Sequence, residues 1–383
     1  MRLEPIGDDD PRDVLRALRG AVLGAGPAIA LGSADRSVDL PREVPAGTAI
    51  VVTTSGSTGV PKSVALSRSA LTSSALATAA RIGDGAWLLA LPAGYVAGVQ
   101  VLVRSLVSGR EPAILSGRFS PEAFAAAAGS MASSVGGVPV PAYTSLVPAQ
   151  LQRLLDAAEH DDDVLRAVRS FEAVLVGGQA LPATVRERAV AAGVRLVRTY
   201  GSTETSGGCV YDGVALDGVS LRIAGGEVLI SGPTLADGYV GDRERTDAAF
   251  VRDSDGARWY RTGDAGDLDG GALRIHGRID NVLVSGGVNV SLDRVERAVR
   301  SIPGLETAVV VAVPDDRWGE ASVIVATRGA TDVGLLDRAR DAVEAEVGRH
   351  ARPSRIVLVD ELPQLASGKP DRAAARGIAA APH

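Results

Sequence analysis

The sequence predicts an α/β chain with a large N-terminal domain of mostly parallel sheet with flanking helices, a small antiparallel β subdomain within it, and a smaller α+β C-terminal domain. Three observations predict this. Short apolar runs alternate with helical patterns from Thr48 to Thr199, which is the pattern of a sheet covered on both faces. From Gly213 to Gly277 the pieces become short and are separated by Gly and Asp turns, as in antiparallel hairpins. From Val282 onward helices and strands mix again over a length that suits a separate domain. The expected boundaries are 1–279, with the β subdomain at about 213–277, and 280–383.

About forty loosely patterned residues come first, and Thr48–Thr53 (TAIVVT) then reads as a buried strand. A Gly/Ser/Thr loop leads to a helix over Ser67–Arg81. Strand Ala86–Leu91, helix Val96–Val107, strand Glu111–Leu115, helix Pro121–Ala128 and a short strand Ala132–Val135 follow. A long helix is predicted over Pro141–Glu159, then strand Phe171–Val176, helix Pro182–Ala192 and strand Val194–Thr199. The C-terminal part reads as helix Leu292–Ile302, strands Thr307–Val313 and Ala321–Ala326, helix Asp332–Gly348 and strand Arg355–Val359, with an Ala-rich tail expected to fray.

With 383 residues the chain exceeds one comfortable core, so two or three domains are expected. The formal net charge of -6 argues against a nucleic-acid partner, which would demand a broad basic surface. Cys209 is the single cysteine, so no internal disulfide forms. The start MRLEPIGDDD lacks a signal-peptide pattern and no apolar run approaches the roughly 20 residues of a membrane span. A soluble, cytoplasmic protein without membrane insertion is therefore expected. His160, His276, His350 and His383 are scattered, without metal-ligand spacing. The run Asp161-Asp162-Asp163 reads as a solvated helix boundary.

One compositional bias is informative. Lys and Arg total 40, yet only Lys62 and Lys369 are lysine. Two surviving surface residues would produce that count; so would two positions that need a compact ammonium on a flexible stem. Both lie in Gly/Ser/Pro loops, Gly59-Val60-Pro61-Lys62 and Ser367-Gly368-Lys369-Pro370, and loops collect function.

Thr53-Thr54-Ser55-Gly56-Ser57-Thr58-Gly59-Val60-Pro61-Lys62 follows a strand directly. Small residues and hydroxyls there let backbone N–H groups close around phosphate oxygens, with a lysine supplying charge. The spacing is not that of a Walker loop, and a plain flexible loop has the same composition. Four more segments follow in order: Gly177-Gly178-Gln179-Ala180, Tyr200-Gly201-Ser202-Thr203-Glu204, Tyr260-Arg261-Thr262-Gly263-Asp264 and Gly277-Arg278-Ile279-Asp280. Ser367-Gly368-Lys369 completes the set. Taken alone, Glu204 and Asp264 read equally as turn or cap residues, Arg278 as a surface ion pair, and Tyr200 as core packing.

Together and in this order, the segments resemble those of the adenylate-forming superfamily of acyl-CoA synthetases, nonribosomal adenylation domains and luciferases. The resemblance implies ATP and Mg2+ as cofactors and coenzyme A as co-substrate. It implies that Thr54, Ser55, Gly56, Ser57, Thr58, Gly59 and Lys62 hold the β and γ phosphates. Gly177, Gly178, Gln179 and Ala180 would lie beside the adenine, with Tyr200 packed on it and Gly201 next in the segment. Thr203 would contact phosphate, Glu204 would bind Mg2+, Asp264 would accept from the ribose hydroxyls, and Arg278 would steady the ribose and phosphates. Lys369 would bridge the attacking carboxylate and the α-phosphate. The C-terminal domain would be mobile about a hinge at Asp280, exchanging the Lys369 loop for Ser285-Gly286-Gly287-Val288-Asn289, where Gly286 and Gly287 would admit the CoA arm.

That Ser-Gly-Gly-Val-Asn run and the short region before the phosphate loop resemble o-succinylbenzoate–CoA ligases of menaquinone biosynthesis, in their short actinobacterial form. The acid would then lie along Gly94, Tyr95 and Val99 and beside Ser206, Gly207 and Gly208. The expected partners are a small-molecule carboxylic acid, ATP and CoA, and a homodimer is compatible with the sequence. Another aryl- or acyl-CoA ligase, or a non-catalytic nucleotide-binding relative, would share most of these motifs. Four positions depart from the family pattern: Ser63 where Gly often follows Pro-Lys, Gly94 where a histidine or aromatic is usual, Leu365 for Thr, and Arg294 for Glu.

Overall fold

The computed structural model describes residues 1–8, 10–32, 40–54, 61–131, 134–315, 318–328, 334–365 and 368–381. Ser55–Val60, and the predicted starts of the strand at Ala132 and the helix at Asp332, lie outside these residues.

Two sheets carry the N-terminal part. The first has the order Leu3–Pro5, Ala28–Leu31, Thr48–Thr54, Lys62–Ser67, Gly238–Tyr239, its first three strands parallel and its last two antiparallel. The second has seven strands. Leu196–Ser202, Ala173–Val176, Ala142–Leu146, Ala86–Leu89 and Ala113–Ile114 run parallel, and Gly207–Tyr211 and Val214–Ala215 add an antiparallel edge. Between the sheets lies a shared apolar core including Ile50, Val52, Leu71, Trp87, Val99 and Leu102. Central strands such as Ala86–Leu89 and Ala173–Val176 are buried throughout, which is why they read as continuous apolar runs. The predicted α/β class with a mostly parallel sheet is therefore the observed one, and no helix of the described residues is long and apolar enough to cross a membrane.

Three local features depart from the sequence expectation. The loosely patterned N-terminus forms helix Pro11–Leu23, with Asp10 accepting the Arg12 N–H, Pro11 in the first turn and Gly24 left-handed at the C-terminus. The predicted long helix Pro141–Glu159 is strand Ala142–Leu146 followed by helix Pro148–Ala158. A proline disfavours helical backbone in the residue before it, and Val147 is extended at φ -92, ψ 157. Lys62–Ser67, expected as loop, is a strand. The acidic run does bound a helix: Asp161 accepts the N–H groups of Asp163 and Val164 at the start of Asp162–Arg169.

A third, antiparallel sheet joins Ser220–Ala224, Glu227–Ser231, Arg258–Asp269 and Phe250–Arg252, with Ala272–Arg278 also on the long Arg258–Asp269 strand. This ribbon leads to Asp280. The last sheet joins Val288–Ser291, Val282–Ser285, Gly319–Thr327 and Val309–Asp315, with Arg355–Val359 parallel to Gly319–Thr327. Its two faces have their own cores, one around Val295, Val310 and Ile324, the other around Val311, Val323 and Val357. The tail expected to fray is helix Arg372–Ala380, capped by Asp371 and buried through Ala375 and Ala379.

Candidate active site

The two strands that flank the Gly/Ser/Thr loop form its base. Thr54 pairs with Lys62 and Thr53 with Ser63, whose hydroxyls are 2.9 Å apart in the buried interior. Ser63 thus bonds inward to Thr53, which accounts for a hydroxyl where Gly is common. The loop residues Ser55, Gly56, Ser57, Thr58 and Gly59 lie outside the described residues, while Thr54 and Lys62 fix both its ends.

The short turn Thr203–Thr205 carries Glu204, which is 2% exposed. Its Oε1 accepts from the Lys62 ammonium and, at 2.9 Å, from the Tyr239 hydroxyl. Lys62 Nζ also lies 5.2 Å from the Tyr239 ring centre. Burial alone would raise the Glu204 carboxyl, but the Lys62 charge and hydrogen bond hold it below the ordinary carboxylate range. Tyr239 was missed by the sequence reading; its Gly238-Tyr239 strand pairs with Val64 and Ala65 and so delivers the ring to Lys62.

A second cluster sits on the antiparallel ribbon. Tyr200 Oη donates to Asp264 Oδ2 at 2.6 Å, and Arg278 Nη1 lies 3.5 Å from Asp264 Oδ1. Burial raises the Asp264 carboxyl, with the Tyr200 bond and the Arg278 charge opposing. Glu227, also missed, is buried and shapes this turn. Its Oε1 accepts the Gly263 N–H at 2.9 Å while Oε2 takes Arg261 Nε and Nη2 at 2.9 and 2.7 Å. Arg278 makes a paired contact with Asp280, Nε to Oδ1 at 3.0 Å and Nη2 to Oδ2 at 3.1 Å. Asp293 accepts the Arg278 N–H at 2.7 Å and the Asn281 amide at 2.8 Å, fastening this segment to helix Leu292–Arg300.

The C-terminal half reaches into the site through Lys369. A Cβ built on Gly178 would lie 3.6 Å from Lys369 Cε, an ordinary van der Waals distance, so the lysine stem packs against this turn, while the Gly178 φ of +79° favours glycine. Gln179 lines the same interdomain cleft as Gly368 and Pro370, and Ala180 is exposed beside it. Burial pushes the Lys369 amine below its ordinary value; Glu204 works against that and Lys62 adds to it. All three charges therefore share one field. The Arg372 guanidinium anchors the lysine loop by binding Glu296 at 2.8 and 2.9 Å.

The acid-pocket expectations need correction. Val99 is fully buried in the apolar core. Ser206 is also fully buried, with a left-handed φ of 54°, and its hydroxyl donates to Thr234 O at 2.8 Å, so it is committed to holding the turn. Gly94 is already occupied: a Cβ there would meet Asp8, at 2.8 Å from its Cβ and closer still to its carboxylate. Tyr95 lies partly buried at the start of helix Val96–Ser108, its hydroxyl raised by burial and by Asp8. Gly94→His is therefore expected to displace Asp8 and to lower turnover, with Asp8→Ala restoring part of it; steady-state rates of the two single variants and the double variant check this.

What borders Gly207 is Gln100, whose Cγ would be 3.1 Å from an added Cβ, and Gly208 packs on Thr199 and Tyr211. Gln100 is 1% exposed, and neither its amide oxygen nor its amide nitrogen has a partner among the described residues. One turn on, Arg104 is buried with its guanidinium 4.8 Å over the Trp87 ring and 3.2 Å from Tyr211 Oη. Two large polar side chains four apart on an otherwise apolar helix were a legible signal. The Gly286–Gly287 turn is placed elsewhere. Its hairpin neighbours principally strand Gly319–Thr327, helix Leu292–Arg300 and the turn Arg349–Ala351, all in the C-terminal half.

Residues 7–240 match the family described as AMP-binding enzyme, and residues 294–369 match the AMP-binding enzyme C-terminal domain. The chain belongs to the AMP-binding enzyme family. This AMP-binding enzyme is 40% identical over 337 residues to the probable 2-succinylbenzoate–CoA ligase of Mycobacterium tuberculosis, covering 85% of its own length and 83% of the relative's. It is 31% identical over 342 residues to the 2-succinylbenzoate–CoA ligase of Listeria monocytogenes, covering 85% and 69%. In fold it matches the o-succinylbenzoate CoA synthetase of Bacillus subtilis, solved with an acyl-adenylate intermediate, with a TM-score of 0.73, 22% identity and 98% and 83% coverage.

Proposed function

We propose that this AMP-binding enzyme is an AMP-forming ligase that joins 2-succinylbenzoate to coenzyme A. The observation that carries the reading is the delivery of Lys369 from the C-terminal half to the loop at Gly178, within the field of Glu204 and Lys62. The ligases named for this acid in M. tuberculosis and L. monocytogenes support the same substrate.

In the first step a carboxylate oxygen of the acid forms a bond to the α-phosphorus of ATP, and the bond to the bridging oxygen breaks, releasing pyrophosphate. Lys369 would hold the attacking carboxylate and an α-phosphate oxygen together, offsetting the charge that accumulates there. Lys62 would exchange its bond to Glu204 for the β and γ phosphates, and Thr203 lies beside Glu204 on the same turn. Asp264, with Tyr200 and Arg278, would fix the ribose. Glu204 is a single buried carboxylate beside a phosphate cradle, and no group of three or more His, Cys, Asp or Glu side chains occurs among the described residues. That donor set fits Mg2+, which takes one or two carboxylates and completes its shell with waters and phosphates. Bound there, the ion would neutralise phosphate charge. In the second step the CoA thiol, losing its proton, attacks the acyl carbon and AMP leaves with the bonding pair. We place the change between steps in a swivel of residues 280–383 about Asp280 that withdraws Lys369 and presents Gly286 and Gly287 to the CoA arm. Opening the paired Arg278–Asp280 contact and the Asp293 bonds would accompany it.

The acid carries a second, aromatic carboxylate. Arg104 and Gln100 supply a buried cation and an unpartnered amide behind Gly207, and we assign that carboxylate to them. Arg104→Gln is expected to raise KM for the dicarboxylic acid about tenfold or more, the cost of losing one charge-assisted hydrogen bond. The same change should leave KM for an analogue without the aromatic carboxylate within about twofold. Thioester formation from a panel of carboxylic acids, read as AMP release, tests the assignment. Failure of 2-succinylbenzoate alongside turnover of another acid would overturn the substrate.

A further inference from the structure

Next to Lys62, in a cleft lined by none of the Lys369-loop residues, a space of about 270 Å3 opens to solvent. Its walls include Lys62, Tyr239, Arg245, Tyr260, Arg261 and Arg278. Four cations thus face one carboxylate, Glu227, which Arg261 already binds at 2.7 and 2.9 Å. The floor is neutralised as well, because Glu204 is held by Lys62 and by the Tyr239 hydroxyl. Arg278 is balanced by Asp280 and Asp264. Arg245 has a loose pairing, 3.3 Å to the neighbouring Asp242, with both side chains more than a third exposed. It is also close enough to act on the Tyr239 hydroxyl, which burial and Glu204 raise and which Arg245 and Arg278 lower. Lys62, Arg261 and Arg278 each have a close carboxylate partner, so Arg245 is the cation of the cleft with the loosest pairing.

We propose that this cleft is a binding site for a diphosphate group, with Arg245 as its outer anchor. The inference rests on the ligase reading, because that reaction has a diphosphate at each end. Pyrophosphate leaves from the Lys62 side, and coenzyme A arrives with a 5′-diphosphate between its nucleoside and its pantetheine arm. A diphosphate is small, multiply charged and without an apolar face, which suits an open cleft whose walls offer guanidinium forks and one ammonium. The position also suits the order of events. The cleft meets the site at Lys62, whereas Gly368 and Pro370 of the catalytic-lysine loop line a separate interdomain cleft with Gln179. A diphosphate held by Arg245 would therefore not compete with Lys369 for the α-phosphate.

The test is calorimetric titration of sodium pyrophosphate, coenzyme A and pantetheine into the full chain and its Arg245→Ala and Arg245→Gln variants. A thermal melt of each confirms that this partly exposed position leaves the fold intact. Loss of one charge-assisted contact is expected to weaken binding about tenfold. Weakening of pyrophosphate identifies the leaving group as the occupant. Weakening of CoA, with pantetheine unchanged, identifies the incoming nucleotide. Affinities for pyrophosphate and CoA that both stay within about twofold of wild type overturn the proposal. Because binding is read directly, the outcome is independent of the functional reading: a chain that forms no thioester yet loses pyrophosphate affinity at Arg245 refutes the ligase and keeps the site.

Discussion

Lys369→Ala is expected to lower adenylate formation by about 10²-fold or more, roughly 3 kcal/mol of transition-state stabilisation, while sparing CoA transfer from supplied acyl-adenylate. Only the first step builds charge between a carboxylate and a phosphate, and only there does the ammonium beside Gly178 have a task. Pyrophosphate exchange reads the first step and thioester formation from synthetic adenylate reads the second. Equal loss in both would remove the division of labour between the Lys369 loop and the Gly286–Gly287 turn. The pH dependence follows with a defined sign. Burial, reinforced by Lys62 and opposed by Glu204, gives Lys369 a lowered pKa in the free enzyme. The kcat/KM of adenylation should therefore fall on the alkaline side at a pH below the ordinary lysine value of 10.5, as the proton that bridges two anions is lost. Lys369→Arg should remove that limb from whatever activity it retains, because a guanidinium does not deprotonate in this range. Transfer from supplied adenylate should lack the limb altogether.

The elements that could be read in advance were those whose periodicity and surroundings agree. Strand Thr48–Thr54 and helix Val96–Ser108 fall almost where the pattern put them, since each is buried along its length or on one face. Helix Pro11–Leu23 escaped notice although its Asp-Pro start and Gly stop are ordinary boundary signals. Strand Ala142–Leu146 was merged with the following helix because a buried parallel strand and a buried helix segment look alike in an apolar run. At the site, Lys62, Glu204, Tyr200, Asp264, Arg278 and Lys369 were legible as motif residues, and the structure brings them into two linked clusters and one loop. Tyr239, Glu227 and Asp293 were not. Their work consists of contacts made across 35, 36 and 15 positions of sequence, to Glu204, Gly263 and Arg278. Pairings of that kind are set by sheet register and are invisible in local spacing. The surroundings of the residues expected around the acid were least legible, because the burial of Val99 and Ser206 and the unpartnered amide of Gln100 depend on how one helix and one turn pack into the core.

Glu204→Gln is expected to destabilise the fold as well as the chemistry. The carboxylate is 2% exposed and holds two donors, the Lys62 ammonium and the Tyr239 hydroxyl, with Lys369 in the same field. Replacing it leaves one or two amines without a counter-charge in a low-dielectric pocket. Breaking such a pair costs about 3–5 kcal/mol, and the lower end applies here because a quarter of the Lys62 side chain remains in water. Urea unfolding should therefore show a lower midpoint at unchanged slope. The linkage fixes where the difference appears. A carboxyl whose folded pKa is depressed contributes stability that is complete above its ordinary value of 4.5 and is lost as pH falls through the lower folded value. The gap between wild type and Glu204→Gln should therefore be widest near neutral pH and shrink under acid. A gap that stayed constant from neutral to acid pH would show that the pairing with Lys62 is not what the carboxylate contributes. Adenylation should fall in the same variant with excess Mg2+ present, because a neutral amide does not attract a cation as a carboxylate does.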